Sequence, residues 1–260
     1  MQDLDRRLEE RKNWLNGTLE FISSGRVAEF GCGSGVALEY LSRNRSECVF
    51  LGVDKSPERL KQASLMSLKN VYLIAADMTG HIFRDNSIGT ALFIGSLHEV
   101  FSAYGHEGVI RVLALANRAL GTGGLSLVQD FLKPSPERVA MVFRNMRTRD
   151  LFFKFAREFR PRDVVYETDG DGVVLDIADA VDFISKYRSP TPEIWREEMS
   201  ETHFFFGEGE YKEAALLAGS TVRNVKRLPE SKWGLLKAPE DIECDFECPD
   251  QWIQVVLQKK

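Results

Sequence analysis

Val27-Ala28-Glu29-Phe30-Gly31-Cys32-Gly33-Ser34-Gly35 decides how this chain is read. An apolar run stops at an acid, and the glycines then let the backbone turn tightly and approach a ligand closely before a helix begins. A dinucleotide fingerprint asks for glycine three residues after its second glycine. Val36 stands there, which weakens a nicotinamide reading. Two further apolar runs end in acids: Cys48-Val49-Phe50-Leu51-Gly52-Val53-Asp54, and Val71-Tyr72-Leu73-Ile74-Ala75-Ala76-Asp77 followed by Met78. Asp54 falls where a doubly wound sheet offers a carboxylate to ribose hydroxyls. Asp77 can accept a hydrogen bond from an adenine amino group while Met78 packs on the ring. Together the loop and the acids specify a nucleoside laid across the ends of parallel strands.

Working outward, strands and helices alternate. Val36 to Arg43 reads as a helix, Cys48 to Asp54 as a strand, and Ser56-Pro57-Glu58 as the cap, first-turn proline and early acid of a helix running to about Leu68. Val71 to Ala76 and Ile88 to Gly95 read as strands. Val109, Leu113, Ala116 and Leu120 stripe a helix that would stop at a left-handed Gly121, before a fifth strand from Leu125 to Asp130. This rhythm predicts an α/β fold with a parallel sheet covered on both faces. Ahead of it, Leu4, Leu8, Leu15, Leu19 and Ile22 predict an amphipathic helix within residues 1–25, closing at Gly25. The alternation breaks from Lys133 to Phe206, read as a mostly helical cap. It returns at Glu210 to Ala218 as a helix, with strands at Ser220 to Leu228 and Trp252 to Gln258 forming an antiparallel edge pair.

At this point the chain resembles the class I S-adenosylmethionine-dependent methyltransferases, through Glu29 to Gly35, Phe50 to Ser56, Ala76 to Met78, Phe93 to Glu99 and Leu120 to Asp130. The resemblance implies a doubly wound, mostly parallel seven-stranded sheet with an antiparallel C-terminal edge pair and a helical insert after strand five. The methyltransferase domain would span 26–132 and 207–260, and residues 133–206 would be a lid over the substrate. The implied cofactor is S-adenosyl-L-methionine. Glu29, Gly31, Cys32, Gly33 and Gly35 would face its methionine part, Asp54 its ribose, and Asp77 with Met78 its adenine, with Lys55 also in the cofactor site. Gly95 and Ser96 would complete the cofactor site.

Ligands of open α/β sheets bind outside the carboxyl ends of the strands, so Gly95-Ser96-Leu97-His98-Glu99 and Asp130 should face the transferred methyl group. Methyl transfer from a sulfonium needs alignment, desolvation and a nucleophile able to lose its proton. His98 is the candidate base, or else a structural imidazole; Glu99 would orient it or cap the following helix. Asp130 would anchor an amine, act as base, or hold a loop. His81, His106 and His203 show no metal-like spacing and read as surface or core residues, and no metal is expected. His203-Phe204-Phe205-Phe206 reads as core, or as the wall of an apolar pocket.

A net charge of −5 gives no general affinity for nucleic acid or an anionic membrane, and no apolar run approaches the length of a membrane span. A cytoplasmic protein is expected, its four cysteines free thiols. The exception on charge is local. Arg138, Arg144, Arg147, Arg149, Lys154, Arg157, Arg160 and Arg162 interleave with phenylalanines and could hold an anion or a single strand. Glu167, Asp169, Asp171, Asp176, Asp179 and Asp182 follow without an intervening base, so self-pairing or a solvated face is the favoured account of the stretch. The reading is therefore a methyltransferase acting on an O or N atom of a small-molecule acceptor. RNA or peptide methylation through the Arg/Phe stretch, a cofactor-binding partner subunit without chemistry, and an oxidoreductase are the alternatives. The oligomeric state is left open, a homodimer included.

Overall fold

A computed structural model of the chain describes residues 15–228, 240–247 and 252–260. Two compact units emerge, the first from residues 15–130, 208–228 and 252–260, the second from 131–207 and 240–247.

The first unit alternates as the sequence predicts. β1 (Arg26–Phe30) leads through the glycine loop into α1 (Val36–Asn44), β2 (Val49–Asp54), α2 (Pro57–Ser64), β3 (Val71–Ala75) and β4 (Ile88–Ile94). Ser56 caps α2 by accepting from the Arg59 N–H at 3.3 Å, with Pro57 in the first turn. That helix ends at Ser64, short of Leu68. α3 (Leu97–Ala119) starts well before Val109 and is broken at Gly105, whose φ of 64° is open to glycine. It passes directly into β5 (Leu120–Phe131). Gly121 is therefore no left-handed stop; the positive φ falls on Gly123. Of the opening helix, residues 15–19 are helical, so it closes ahead of Gly25, and Leu4 and Leu8 lie outside the described residues.

The chain then enters the second unit: β6 (Arg138–Phe143), α4 (Met146–Glu158), β7 (Tyr166–Asp169), β8 (Gly172–Asp176), α5 (Ile177–Lys186) and α6 (Pro192–Glu198). It returns to the first for α7 (Glu208–Leu217) and β9 (Ser220–Leu228), revisits the second for β10 (Ile242–Cys244), and closes on β11 (Trp252–Lys259).

The first unit's sheet has the order β3-β2-β1-β4-β5-β11-β9, parallel in its described pairings except for β11 against β9. Central β1 and β4 are buried nearly throughout, as strands covered on both faces must be, whereas edge strand β3 is only half-buried. Val27, Leu38, Leu41, Phe50, Leu92 and Leu127 are among the fully buried residues that fuse sheet and helices into one core.

In the second unit the expectation of a mostly helical insert is corrected. A four-stranded antiparallel sheet, β10-β6-β8-β7, carries the three helices. Residues 240–247 belong with it, since Ile242 pairs with Phe143, so 207–260 is not one continuous part of the first unit. The overlooked signal is Asp169-Gly170-Asp171-Gly172: Asp169 pairs with Gly172, leaving a two-residue hairpin loop whose first residue, Gly170, has φ 54°. Phe143, Phe152, Phe155 and Phe183 form the aromatic core, with Phe152 meeting Phe183 edge to face at 5.3 Å.

Candidate active site

Everything at the site depends on how the glycine loop closes. After β1 the Gly31 and Cys32 N–H groups donate to the Val53 carbonyl at 2.8 and 3.0 Å, turning the loop under the end of β2. Gly31 has φ 77°, and a Cβ there would lie 2.6 Å from Ser96 Cβ and 3.0 Å from Met78 Cε. Only glycine fits. The ends of β1, β3 and β4 thus converge within van der Waals reach of one backbone position. At Gly33, φ 54°, a Cβ would meet nothing within 4 Å, so the loop presents bare backbone to open space there.

Asp54, buried at the end of β2, accepts from the Gly33 N–H at 2.7 Å through one oxygen and from the Ser56 N–H at 2.9 Å through the other. An ionised carboxylate offers about four acceptor positions, so two remain. Asp77 accepts from both the backbone and the hydroxyl of Thr79, at 2.8 and 2.7 Å, and these bonds hold its carboxyl below the ordinary range. Glu29 is buried in β1. Burial, with the negative charges of Glu29 and Asp54 beside it, pushes the Cys32 thiol far up, which removes it as a nucleophile.

The loop lines a cavity of about 310 Å³ with Glu29, Gly31, Cys32, Gly33 and Gly95, joined by Arg59, Gln62 and Glu99. A second hollow meets it at Gly31 and Glu99, walled by Asp54, Lys55, Asp77, Met78, Val100 and Tyr104. Gly35 and Ser96 stand behind these walls: Gly35 starts α1 at φ 82°, and the buried Ser96 hydroxyl donates to the Phe30 carbonyl at 2.8 Å. Arg59, Gln62, Val100 and Tyr104 escaped the sequence reading. They sit in helices whose pattern gives no sign of which polar or aromatic position meets a ligand.

The acid at the end of β5 organises the other wall. Asp130 is fully buried, and one oxygen accepts from the N–H groups of Ser96, Leu97 and His98 at 3.1, 2.8 and 3.3 Å. It caps α3 from another strand, where the helix dipole favours a negative charge. Its other oxygen lies 2.8 Å from Nδ1 of His98, whose side chain is 9% exposed. Glu99, half-buried, faces Arg59 at 3.6 Å. Of the remaining histidines, His81 lies at the surface near Asp85, His106 is half-buried, and His203 is buried against Phe131, ring centroids 4.5 Å apart. Phe204, Phe205 and Phe206 are core residues.

Residues 27–124 match the family model described as a methyltransferase domain. Within those residues the chain carries a methyltransferase domain. The bare glycine backbone opposite two carboxylates suits S-adenosylmethionine as the cofactor of such a domain. No curated protein matches the sequence. Among solved structures, an S-adenosylmethionine-dependent methyltransferase from Mesorhizobium loti is similar over 96% of this chain and 97% of its own, with 16% identity and a TM-score of 0.59. One from Aquifex aeolicus covers 95% and 89%, with 15% identity and a TM-score of 0.52. The 1,6-didemethyltoxoflavin-N1-methyltransferase of Burkholderia thailandensis, solved with S-adenosylhomocysteine, covers 97% and 78%, with 14% identity and a TM-score of 0.54. At such identities these likenesses establish the fold of the methyltransferase. Among the described residues, no helix is long and apolar enough to cross a membrane.

Proposed function

We propose that the protein transfers the methyl group of S-adenosylmethionine to an O or N atom of a small-molecule acceptor, with His98 as the base that takes the acceptor's proton. The observation that carries this is the contact between His98 Nδ1 and Asp130 Oδ1 at 2.8 Å. Asp130 also accepts from three backbone N–H groups; in this reading it takes a hydrogen bond from Nδ1, and the acceptor's proton goes to Nε2. Asp130 is a positioning residue, since a fully buried carboxylate has no path to an acceptor.

Gly31, Gly33, Gly35, Glu29 and Cys32 would hold the methionine part of the cofactor, with Gly95 and Ser96 closing that wall. Asp54 and Lys55 would take the ribose, and Asp77 with Met78 the adenine, against Tyr104 on the opposite wall. When bound, the cofactor supplies an electrophilic methyl group on a positively charged sulfur. The chain supplies alignment, exclusion of water and a proton acceptor. Glu99 serves to place Arg59 rather than the imidazole.

A small acceptor is favoured over RNA or peptide by the fate of the Arg/Phe stretch. Arg138 pairs with Glu167, Arg149 with Asp171, and Arg162 with Asp179 and Asp182, while Phe152, Phe155 and Phe159 are core. That stretch folds on itself, leaving few rings to stack on bases. The test is transfer of labelled methyl from the cofactor into a metabolite extract, an RNA pool and a peptide pool. Label in the metabolites, lost with His98→Ala while cofactor binding persists, is expected. Label in RNA or peptide alone, or full turnover by the variant, would refute the reading.

A further inference from the structure

The second unit contains a cavity of about 720 Å³ that shares no residue with the cofactor cleft. Its volume lies in the range of roughly 300–1,000 Å³ common for small-molecule sites. It is walled by the first turns of α4, the turn after α5 and the start of α6. Arg147, Lys154 and Arg188 line it, against a single lining acid, Asp241.

These charges are not equivalent. Asp241 accepts from the Thr148 hydroxyl, the Tyr187 hydroxyl and Arg188, at 2.7, 2.7 and 2.8 Å. Burial works against its ionisation, yet those bonds hold the carboxyl down to about 2, so Asp241 and Arg188 neutralise one another at any ordinary pH. Arg147 has no acidic partner among the described residues and is exposed. Lys154 lies over the Trp195 ring at 4.5 Å, with Glu158 only at 3.9 Å. Arg147 and Lys154 are seven residues apart, on one face of α4. Two cations thus face the cavity beside an apolar wall of Leu151, Pro190, Pro192 and Trp195.

We propose that this cavity binds a small organic phosphate, its dianion set against Arg147 and Lys154 and its organic body against the Trp195 side. A phosphate monoester carries about two negative charges at neutral pH, and guanidinium recognises it with charge-assisted hydrogen bonds. A nucleic acid suits the place less well, because the neighbouring Arg144, Arg149 and Arg188 are already paired with acids. The proposal stands apart from the reading of the cofactor cleft.

Calorimetric titration of the full chain with phenyl phosphate, inorganic phosphate, phenol and a short single-stranded RNA tests it. Phenyl phosphate should bind at a Kd of about 1 mM or tighter, more tightly than inorganic phosphate, and phenol not at all. Arg147→Ala and Lys154→Gln should each weaken it about tenfold. Arg138→Ala, which lies outside the cavity, should leave it unchanged. Absence of heat from phenyl phosphate, equal affinity in Arg147→Ala, or Arg147-dependent binding of RNA alone would overturn the proposal.

Discussion

The two units employ their wholly or partly buried acids differently. In the first, Asp54 and Asp130 direct their oxygens at backbone N–H groups of loops and a helix start, Gly33, Ser56 and the first turn of α3. In the second, Asp182 takes Arg162, Thr202 and the His203 N–H, and Asp241 takes Thr148, Tyr187 and Arg188. Gripping backbone, such an acid fixes the path of the chain past a cleft, and Asp54 still has acceptor positions to offer. One that grips side chains saturates itself and ties helices to strands. The lesson is that burial of a carboxylate alone does not mark a reacting centre; the identity of its donors does.

This contrast can be broken at its strongest point. Asp130→Asn keeps the shape of the cap but turns an amide toward His98, so kcat should fall by about 10²–10⁴-fold with cofactor affinity nearly unchanged. Steady-state kinetics beside calorimetry would show it, and an active variant would end the role of Asp130. Asp54→Asn comes next. The glycine loop retains one acceptor, but the negative charge proposed to face the ribose is lost, and cofactor affinity should fall roughly 10–100-fold.

Smaller effects belong to the second unit. Because the Asp241 carboxyl titrates at about 2 in the fold and at 3.8 when unperturbed, its contribution is complete above pH 4 and disappears as pH falls toward 2. Asp241→Asn should therefore lower Tm by several degrees at pH 7 and hardly at all near pH 2, as followed by circular dichroism. Smallest is Gly170→Ala in the β7–β8 loop. A side chain at φ 54° costs about 1 kcal/mol, read in denaturant melts, and methyl transfer should be unaffected.

What the sequence disclosed follows the same division. Buried parallel strands read as continuous apolar runs, so β1, β2 and β4 were visible, with the acids Glu29 and Asp54 closing the first two, as were β9 and β11. β7, Tyr-Glu-Thr-Asp, is short, exposed and polar, and only its pairing with β8 makes it a strand. Arg138 likewise hid β6 within a charged stretch that looked helical. His98 and Asp130 each drew attention alone. Their contact follows from the register that sets Ile94 beside Gln129, which no local pattern records.

The position of β11 has a consequence for biosynthesis. It lies between β5 and β9, although it follows every other described strand in the chain. A nascent polypeptide must hold a slot open beside β5 until that segment leaves the ribosome, with Trp252, Ile253, Val255 and Val256 still to be buried there. Stalled translation just upstream would leave two unpaired sheet edges, a natural substrate for chaperones.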